Sequence, residues 1–298
     1  MSLLRRLIRR LERKGRFNSF SDKLYLKIMF WTYMGKRLNL KDPKTFNEKL
    51  QWLKLHDRKP EYTRMVDKYE VKKYVAERIG EEYIIPTWGV WDRFEDVDLD
   101  SLPDQFVLKC THDSGGLVIC RDKAKQNWDT AKGMIERSLK RNYYLHGREW
   151  PYKDVKPRII AEQFMQDETQ PNGLLDYKFY CFNGEPKLLY ISEGLEDHST
   201  AKISFLDLDW TFADFYRSDF RPFDHLPPKP NNYDQMLILA KELSAGIPFL
   251  RVDLYEINGK IYFSELTFSP CGGMMPFEPE QWNEKLGSWI TLPSQKAE

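Results

Sequence analysis

The stretch from Arg251 to Gly273, RVDLYEINGKIYFSELTFSPCGG, constrains the fold of this chain more than any other. Two apolar, alternating runs flank Asn258-Gly259, and Asn-Gly in that setting is a strong hairpin signal. Asp253 and Glu265 stand symmetrically about Gly259. With a three-residue loop, or a two-residue turn plus a bulge, the opposed pairs are Ile257 with Ile261, Tyr255 with Phe263, and Asp253 with Glu265. A plain two-residue turn shifts the register by one and sends the carboxylates to opposite faces. Opposed carboxylates in an apolar setting repel each other and lose hydration, so they require a cation between them. Oxygen-only ligands suit a hard ion such as Mg2+, whose remaining ligands are water and phosphate oxygens. The alternative is purely structural: two solvated acids at the ends of a half-exposed hairpin.

The rest of the chain is long enough, at 298 residues, for one composite fold or two to three small lobes. A net charge of +1 says nothing about a nucleic-acid or acidic partner, though no nucleic acid is expected, and no apolar run reaches the ~18 residues needed to cross a bilayer. Cys110, Cys120, Cys181 and Cys271 lie far apart without a CxxC pair. They read as reduced core residues of a cytoplasmic protein. Residues 2–16 carry seven basic residues and one acid, with Leu3, Leu4, Leu7, Ile8 and Leu11 on one helical face and the arginines on the other. Such a helix either packs its apolar face on its own domain with a solvated basic face, or lies on an anionic lipid surface.

In chain order, residues 20–36 and 44–57 read as helices, with Pro60 closing the second. Asp67-Lys68 opens a further helix that Gly80 ends. DQFVLKC (104–110) and GLVIC (116–120) read as strands joined by the polar turn THDSGG. Lys109 near the end of a buried strand needs an anionic partner. Backbone N–H groups of Ser114, Gly115 and Gly116 can cradle phosphate, although an SGG turn is usually only a hairpin turn.

Residues 128–142 read as a helix, and 157–165 as an apolar strand ending in Glu162-Gln163-Phe164-Met165. A polar pair followed by two bulky apolar residues suits an adenine hinge; an ordinary core strand with polar ends has the same wording. Pro171-Asn172-Gly173 is a turn into a hairpin through Asn183-Gly184, in which Asp176 and Lys178 share one face. That face suits ribose hydroxyls and phosphate, or a pair of cross-strand salt bridges. Residues 201–212 form another strand, with Lys202 a spare cation. Residues 213–230 form a proline-rich loop over a site, and 231–246 an amphipathic helix with Asn231 or Asn232 as N-cap.

The ordered set Asp-Lys, FVLK, SGG, IAEQFM, DYK, RVD and SELT resembles the ATP-grasp superfamily. The HDSGG and SELTFSP wording is most similar to its TupA-like branch, associated with teichuronopeptide and capsular polysaccharide assembly. The resemblance covers roughly residues 40–293 and implies an α+β, ATP-grasp fold. A helical N-terminal region (1–66) would precede two lobes that grip a nucleotide, 67–156 with the phosphate flap and 157–298 with the metal and substrate site.

By position, the resemblance implies that Lys68 and Lys109 bind nucleotide and that Ser114, Gly115 and Gly116 form the flap. Glu162, Gln163, Phe164 and Met165 would form the adenine hinge, with Asp176 on ribose, Lys178 on phosphate and Lys202 in reserve. Asp253, Glu265 and Thr267 would ligate Mg2+, Thr267 standing where the family has Asn. Arg251 would steady an acyl phosphate. His112 sits beside the flap, either to relay a proton from the amine or as a structural histidine.

The implied activity is ATP- and Mg2+-dependent ligation of a carboxylate to an amine. The implied substrates are an amino acid and a uronic acid of a surface glycan, at the inner face of the membrane if the basic helix docks there. Competing readings are a sugar kinase on the same fold, a non-catalytic component of a glycan-assembly complex, and a glycosyltransferase, for which the βαβ series is missing.

Overall fold

Helices open the chain because its first residues carry helical apolar periodicity and cap signals. They are α1 (Leu3–Arg13), α2 (Asp22–Met34), α3 (Phe46–His56), α4 (Pro60–Val66) and α5 (Glu70–Ile79) in the computed structural model, which describes residues 2–170, 173–194 and 201–294. The turn expected at Pro171-Asn172 lies outside the described residues. Thr45 and Glu48 form a reciprocal capping box that starts α3. Pro60 does not close a helix; it occupies the first turn of α4, where its missing N–H has no partner to lose. α5 begins at Glu70, two residues later than Lys68, because Asp67 spends its carboxylate on the N–H groups of Tyr69 and Glu70. Lys68 therefore sits in the turn between α4 and α5.

Two antiparallel sheets follow. The smaller contains β1 (Thr87–Trp91), β2 (Phe106–Cys110), β3 (Leu117–Cys120) and β4 (Ile159–Gln163), in the order β1-β4-β2-β3, with helix α6 (Trp128–Leu139) packed on it. The larger contains β5 (Asp176–Phe182), β6 (Glu185–Glu193), β7 (Lys202–Leu206), β8 (Phe249–Ile257) and β9 (Lys260–Thr267), in the order β7-β6-β5-β8-β9. Helices α7 (Tyr233–Ser244) and α8 (Gln281–Ser288) are the remaining α-helices among the described residues, and short 3-10 turns punctuate the loops. The backbone N–H groups of Asn231 and Asn232 are taken by the Glu256 carboxylate, and the Asn232 side chain donates to the Gly259 carbonyl and makes no cap bond to α7.

Strand alternation divides the larger sheet's residues between two cores. Tyr177, Phe179, Val252 and Leu254 pack with α4, α5 and α7 on one face. Tyr180, Phe182 and Phe249 pack with Phe46 and Leu50 of α3 and Trp282 and Leu286 of α8 on the other. Covered on both faces, β5 is buried along all seven residues. Packing thus places α4 and α5 with the larger sheet, although their sequence neighbours β1 to β3 belong to the smaller one. The N-terminal core of Tyr25, Leu26, Met29 and Phe30 is tied on by Arg148, whose Nη2 donates to the carbonyls of Phe17, Asn18 and Phe20.

Helix α1 departs from the first of its two expected arrangements, in which the apolar face packs on the domain and the basic face is solvated. Arg5 donates to the carbonyls of Thr32 and Tyr33, Arg9 lies over the Tyr33 ring and Glu12 is buried. Leu3, Leu4 and Leu7 face solvent, 85%, 56% and 51% exposed. The helix docks through Arg5, Arg9 and Glu12 and through Ile8, which packs on the core of Tyr25, Leu26, Met29 and Phe30, so packing of Leu3, Leu4 and Leu7 is not what holds it. Among the described residues no helix is long and apolar enough to cross a membrane.

Candidate active site

The Asn258-Gly259 turn has two residues, with Ile257 opposite Lys260 and φ values of 51° and 74° that suit Asn and Gly. The register expected near the tip is therefore wrong: Tyr255 pairs with Tyr262 and Glu256 with Ile261. A bulge at Ser264 then adds one residue to β9, so that Asp253 comes to lie directly opposite Glu265.

Arg251 shares the strand face of Asp253. Its Nε lies 2.7 Å from Asp253 Oδ1, and its Nη2 lies 2.6 Å from Asp253 Oδ2 and also donates to Glu265. Lys178, opposite Asp253 on β5, donates to Asp253 Oδ2 at 2.9 Å and to Asp176. Complete burial raises the Asp253 pKa against the pull of Arg251 and Lys178. Burial would raise Glu265 too, but Arg251, Lys178 and Lys68 hold it at about 2. For Lys178 burial is outweighed by Asp176 and Asp253, which push its pKa above the ordinary lysine range.

One guanidinium nitrogen reaches both carboxylates, so a single cation can bridge them. Thr267 Oγ1 lies 3.3 Å from Glu265 Oε1 and completes an oxygen-only set. No group of three or more His, Cys, Asp or Glu gathers among the described residues. Mg2+ needs only one or two protein carboxylates beside phosphate and water. The residues fit that ion, provided Arg251 and Lys178 give up part of their share of the oxygens.

Beside the acid pair is a cavity of about 180 Å³ between the two sheets. Lys68, Lys72 and Lys109 converge on it from the α4–α5 turn, α5 and β2. Lys72 Nζ is 2.6 Å from Glu162 Oε1 and from the Ile85 carbonyl, and Lys109 Nζ is 2.6 Å from Glu162 Oε2. Lys68 Nζ donates to the Asp113 carbonyl. Burial lowers the pKa of Lys68 and Lys72. Burial opposes ionisation of Glu162, yet Lys109 and Lys72 hold its carboxyl at about 2. Ile84, Ile85, Leu117 and Phe263 give the same cavity an apolar wall. Clustered ammonium groups beside an apolar wall suit a polyanion carrying a flat base.

The flap is anchored at its ends and exposed at its tip. Asp113 Oδ1 accepts from the Gly116 N–H at 3.0 Å and Oδ2 accepts from Ser138. Any Cβ on Gly116 would stand 2.5 Å from Cys110 Sγ, whereas Gly115 has nothing nearer than 3.6 Å. Ser114 and Gly115 are exposed, and Ser114 Oγ donates to the Tyr143 hydroxyl at 3.3 Å.

Several expected site residues lie elsewhere. His112 does not face a cavity: it is buried, and Nε2 is 3.1 Å from the carbonyls of Ser138 and Arg141. Both neighbours are acceptors, so this nitrogen carries the proton and holds the end of α6. Lys202 is on the edge strand β7, paired with Asp224, and reaches neither the acid pair nor the lysines. Gln163 and Phe164 line a groove on the opposite side of the small sheet, with Arg121 over the Phe164 ring. Their side chains, unlike that of Glu162, do not border the lysine cavity, and neither does Met165. Asp176 and Lys178 are buried within the sheet rather than lining the cavity; Asp176 Oδ1 has no hydrogen-bond partner.

Sequence reasoning missed Lys72, although it follows Lys68 by one helical turn and the spacing was readable. It also missed a second cavity of about 500 Å³ that meets the first at Ser114, Tyr152 and Glu265. Arg251 and Thr267 line it from the larger sheet, and Arg217 and Asp219 from the proline-rich loop. Glu12, Tyr25, Met29 and Tyr33 line it from the N-terminal helices. Cys271, expected in the core, is exposed and lines it also.

A family model described as TupA-like ATPgrasp matches residues 48–291. Among solved structures the chain is similar to D-alanine–D-alanine ligase from Bacillus anthracis complexed with ATP, at 15% identity and TM-score 0.39, covering 69% of this chain and 54% of that one. It is similar to the same ligase from Helicobacter pylori, at 14% identity and TM-score 0.45, covering 83% and 69%. A RimK-domain ATP-grasp protein from Sphaerobacter thermophilus gives 10% identity and TM-score 0.42, covering 79% and 70%. The chain thus spans about half the length of the first of these. No curated protein matches the sequence. With the family model matching most of its length, and with two antiparallel sheets enclosing the lysine cavity, the chain has the ATP-grasp fold and belongs to the TupA-like ATP-grasp family.

Proposed function

We propose that the protein is an ATP-dependent carboxylate–amine ligase that joins an amino acid to the carboxylate of a uronic acid in a surface glycan or its precursor. The observation that carries this reading is the meeting of two cavities at Glu265, one lined by lysines and one large enough for organic substrates. ATP is the substrate of the first step: a carboxylate oxygen takes the γ-phosphoryl group, and ADP leaves. In the second step the amine nitrogen forms a C–N bond to the acyl carbon as the C–O bond to phosphate breaks; phosphate leaves with the electron pair, and a proton is released. A bound Mg2+ would spread the charge of the phosphates.

The chain's own residues supply the remaining neutralisation. Lys68, Lys72 and Lys109 receive phosphate oxygens, and Arg251 faces the second cavity, where an acyl phosphate would form. Asp253, Glu265 and Thr267 would hold the ion. Tyr25, Tyr33, Tyr143 and Tyr152 give the second cavity faces that are apolar in the ring and polar at the hydroxyl. Such walls suit a sugar ring, which supports a glycan acceptor.

Helix α1 supports a membrane-surface acceptor. Its exposed leucines stand beside exposed Arg6, Arg10 and Arg13, the pairing of apolar and cationic groups that anionic lipid attracts.

The deciding experiment is ADP release over a panel of amino acids crossed with uronic-acid oligosaccharides, followed by product mass. Condensation with loss of water supports the ligase. A product heavier by phosphate, formed without an amine, makes the protein a sugar kinase instead.

A further inference from the structure

Glu149 is a buried carboxylate whose main cationic neighbour in the fold, Lys54, acts on it only through space, without a hydrogen bond or ion pair among the described residues. It is 6% exposed and lines the larger cavity, and among the described residues nothing donates a hydrogen bond to it or pairs with it within 4 Å. The cations around it are engaged elsewhere. Lys54, on α3, donates to Gln51 Oε1 at 3.1 Å, to the Gly147 carbonyl at 2.9 Å and to the Gly272 carbonyl at 2.6 Å. His146 Nδ1 is 2.5 Å from Glu12 Oε1. Arg251, on β8, is held by Asp253 and Glu265. The remaining charged neighbour, Glu265 on β9, is itself an acid. A desolvated carboxylate facing open volume gains most from a cation brought in by a ligand.

We propose that Glu149 binds the ammonium group of the amine substrate and holds it beside Arg251 and Glu265, an assignment that rests on the ligase reading above. The rest of that substrate meets a wall this chain builds for itself: Glu12, Tyr25, Met29 and Tyr33 lie outside the span matched by the family model. Glu12 brings a second buried carboxylate to this wall, and its Oε2 has no partner. Two buried carboxylates on this wall disfavour a primary amine whose substituent carries a second acid, and the tyrosine rings favour one that can stack. Burial pushes the Glu149 carboxyl above its ordinary range, and a bound ammonium would bring it back.

The test separates this assignment from the ligase reading by using two nucleophiles. Hydroxylamine, uncharged near pH 7.5, captures an acyl phosphate without an ammonium site. Glu149→Gln should leave ATP-dependent hydroxamate formation and the KM for ATP within twofold of wild type, while the KM for the amine substrate rises at least ~10-fold, about 1.4 kcal/mol of lost binding. Glu149→Asp should recover part of that loss. Equal amine KM in Glu149→Gln, or loss of hydroxamate in parallel with amide, overturns the assignment. Absence of hydroxamate in the wild type overturns the ligase reading instead. In that case calorimetric titration of the folded protein with free amino acids still decides the site. Binding that Glu149→Gln abolishes supports it, and equal or absent binding to wild type overturns it.

Discussion

Asp253 lies directly across the β8–β9 ladder from Glu265, and the extra residue Ser264 is what brings them level. Without that bulge the two-residue turn would place one carboxylate on each face of the sheet. A deletion of Ser264 should therefore abolish turnover as completely as loss of either acid. Asp253→Asn and Glu265→Gln should each lower kcat by at least ~100-fold, the scale expected when one charge-stabilising group is lost, with the circular dichroism spectrum retained. Near-native turnover in both would remove the metal assignment.

Lys72 and Lys109 each place an ammonium 2.6 Å from one oxygen of Glu162. Lys72→Met should raise the KM for ATP about 10-fold or more, while the KM for the amine stays put. A change confined to the amine would place Lys72 in the wrong cavity.

The same triad sets an acid limit on stability. Glu162 has a folded pKa of about 2 against an ordinary value of 4.5. A depressed carboxyl contributes fully above the unfolded value and loses that contribution as pH falls toward the folded one. About 3 kcal/mol should disappear between pH 4.5 and pH 2. Glu162→Gln should flatten that part of the stability profile in urea titrations, and an unaltered acid limb would count against the pairing.

His112 donates to two carbonyls at the end of α6 and touches neither cavity. His112→Phe should cost about 1–3 kcal/mol of stability by orphaning buried acceptors and leave kcat within a few-fold. A large fall in kcat with unchanged Tm would return His112 to the chemistry.

Leu3, Leu4 and Leu7 are exposed while Arg5 is bound to the body of the protein. Replacing the three leucines by serine should reduce co-sedimentation with vesicles containing anionic lipid and leave turnover of a soluble acceptor unchanged. Each leucine fully buried is worth about 1.5–3 kcal/mol, so partial insertion of three gives a measurable shift. Equal sedimentation, or a change in oligomeric state instead, would assign the patch to another occupant.

What could be read from residue order alone followed from local physics. Alternation and the Asn-Gly turn announced the β8–β9 hairpin, buried-strand wording placed Lys109 and Glu162 each on a strand, and helical period announced α2, α3 and α7. The level of the acid pair was readable as one of two registers, because turn length and bulge position are set by neighbouring strands as well as by the turn. Tertiary structure decided the rest. His112 and Phe164 lie beside the right motifs but point into packing or the opposite groove, and nothing local states which way a loop or strand end faces. Lys202 lost its candidacy to Asp224, a partner 22 residues away. Glu149 was invisible in the sequence, since its significance is that, among the described residues, nothing hydrogen-bonds its carboxylate once α3, β8 and β9 have closed around it. Helix α1 showed its amphipathic pattern plainly, but only the carbonyls of Thr32 and Tyr33 and the Tyr33 ring decided that Arg5 and Arg9 would face inward while Arg6, Arg10 and Arg13 stay exposed.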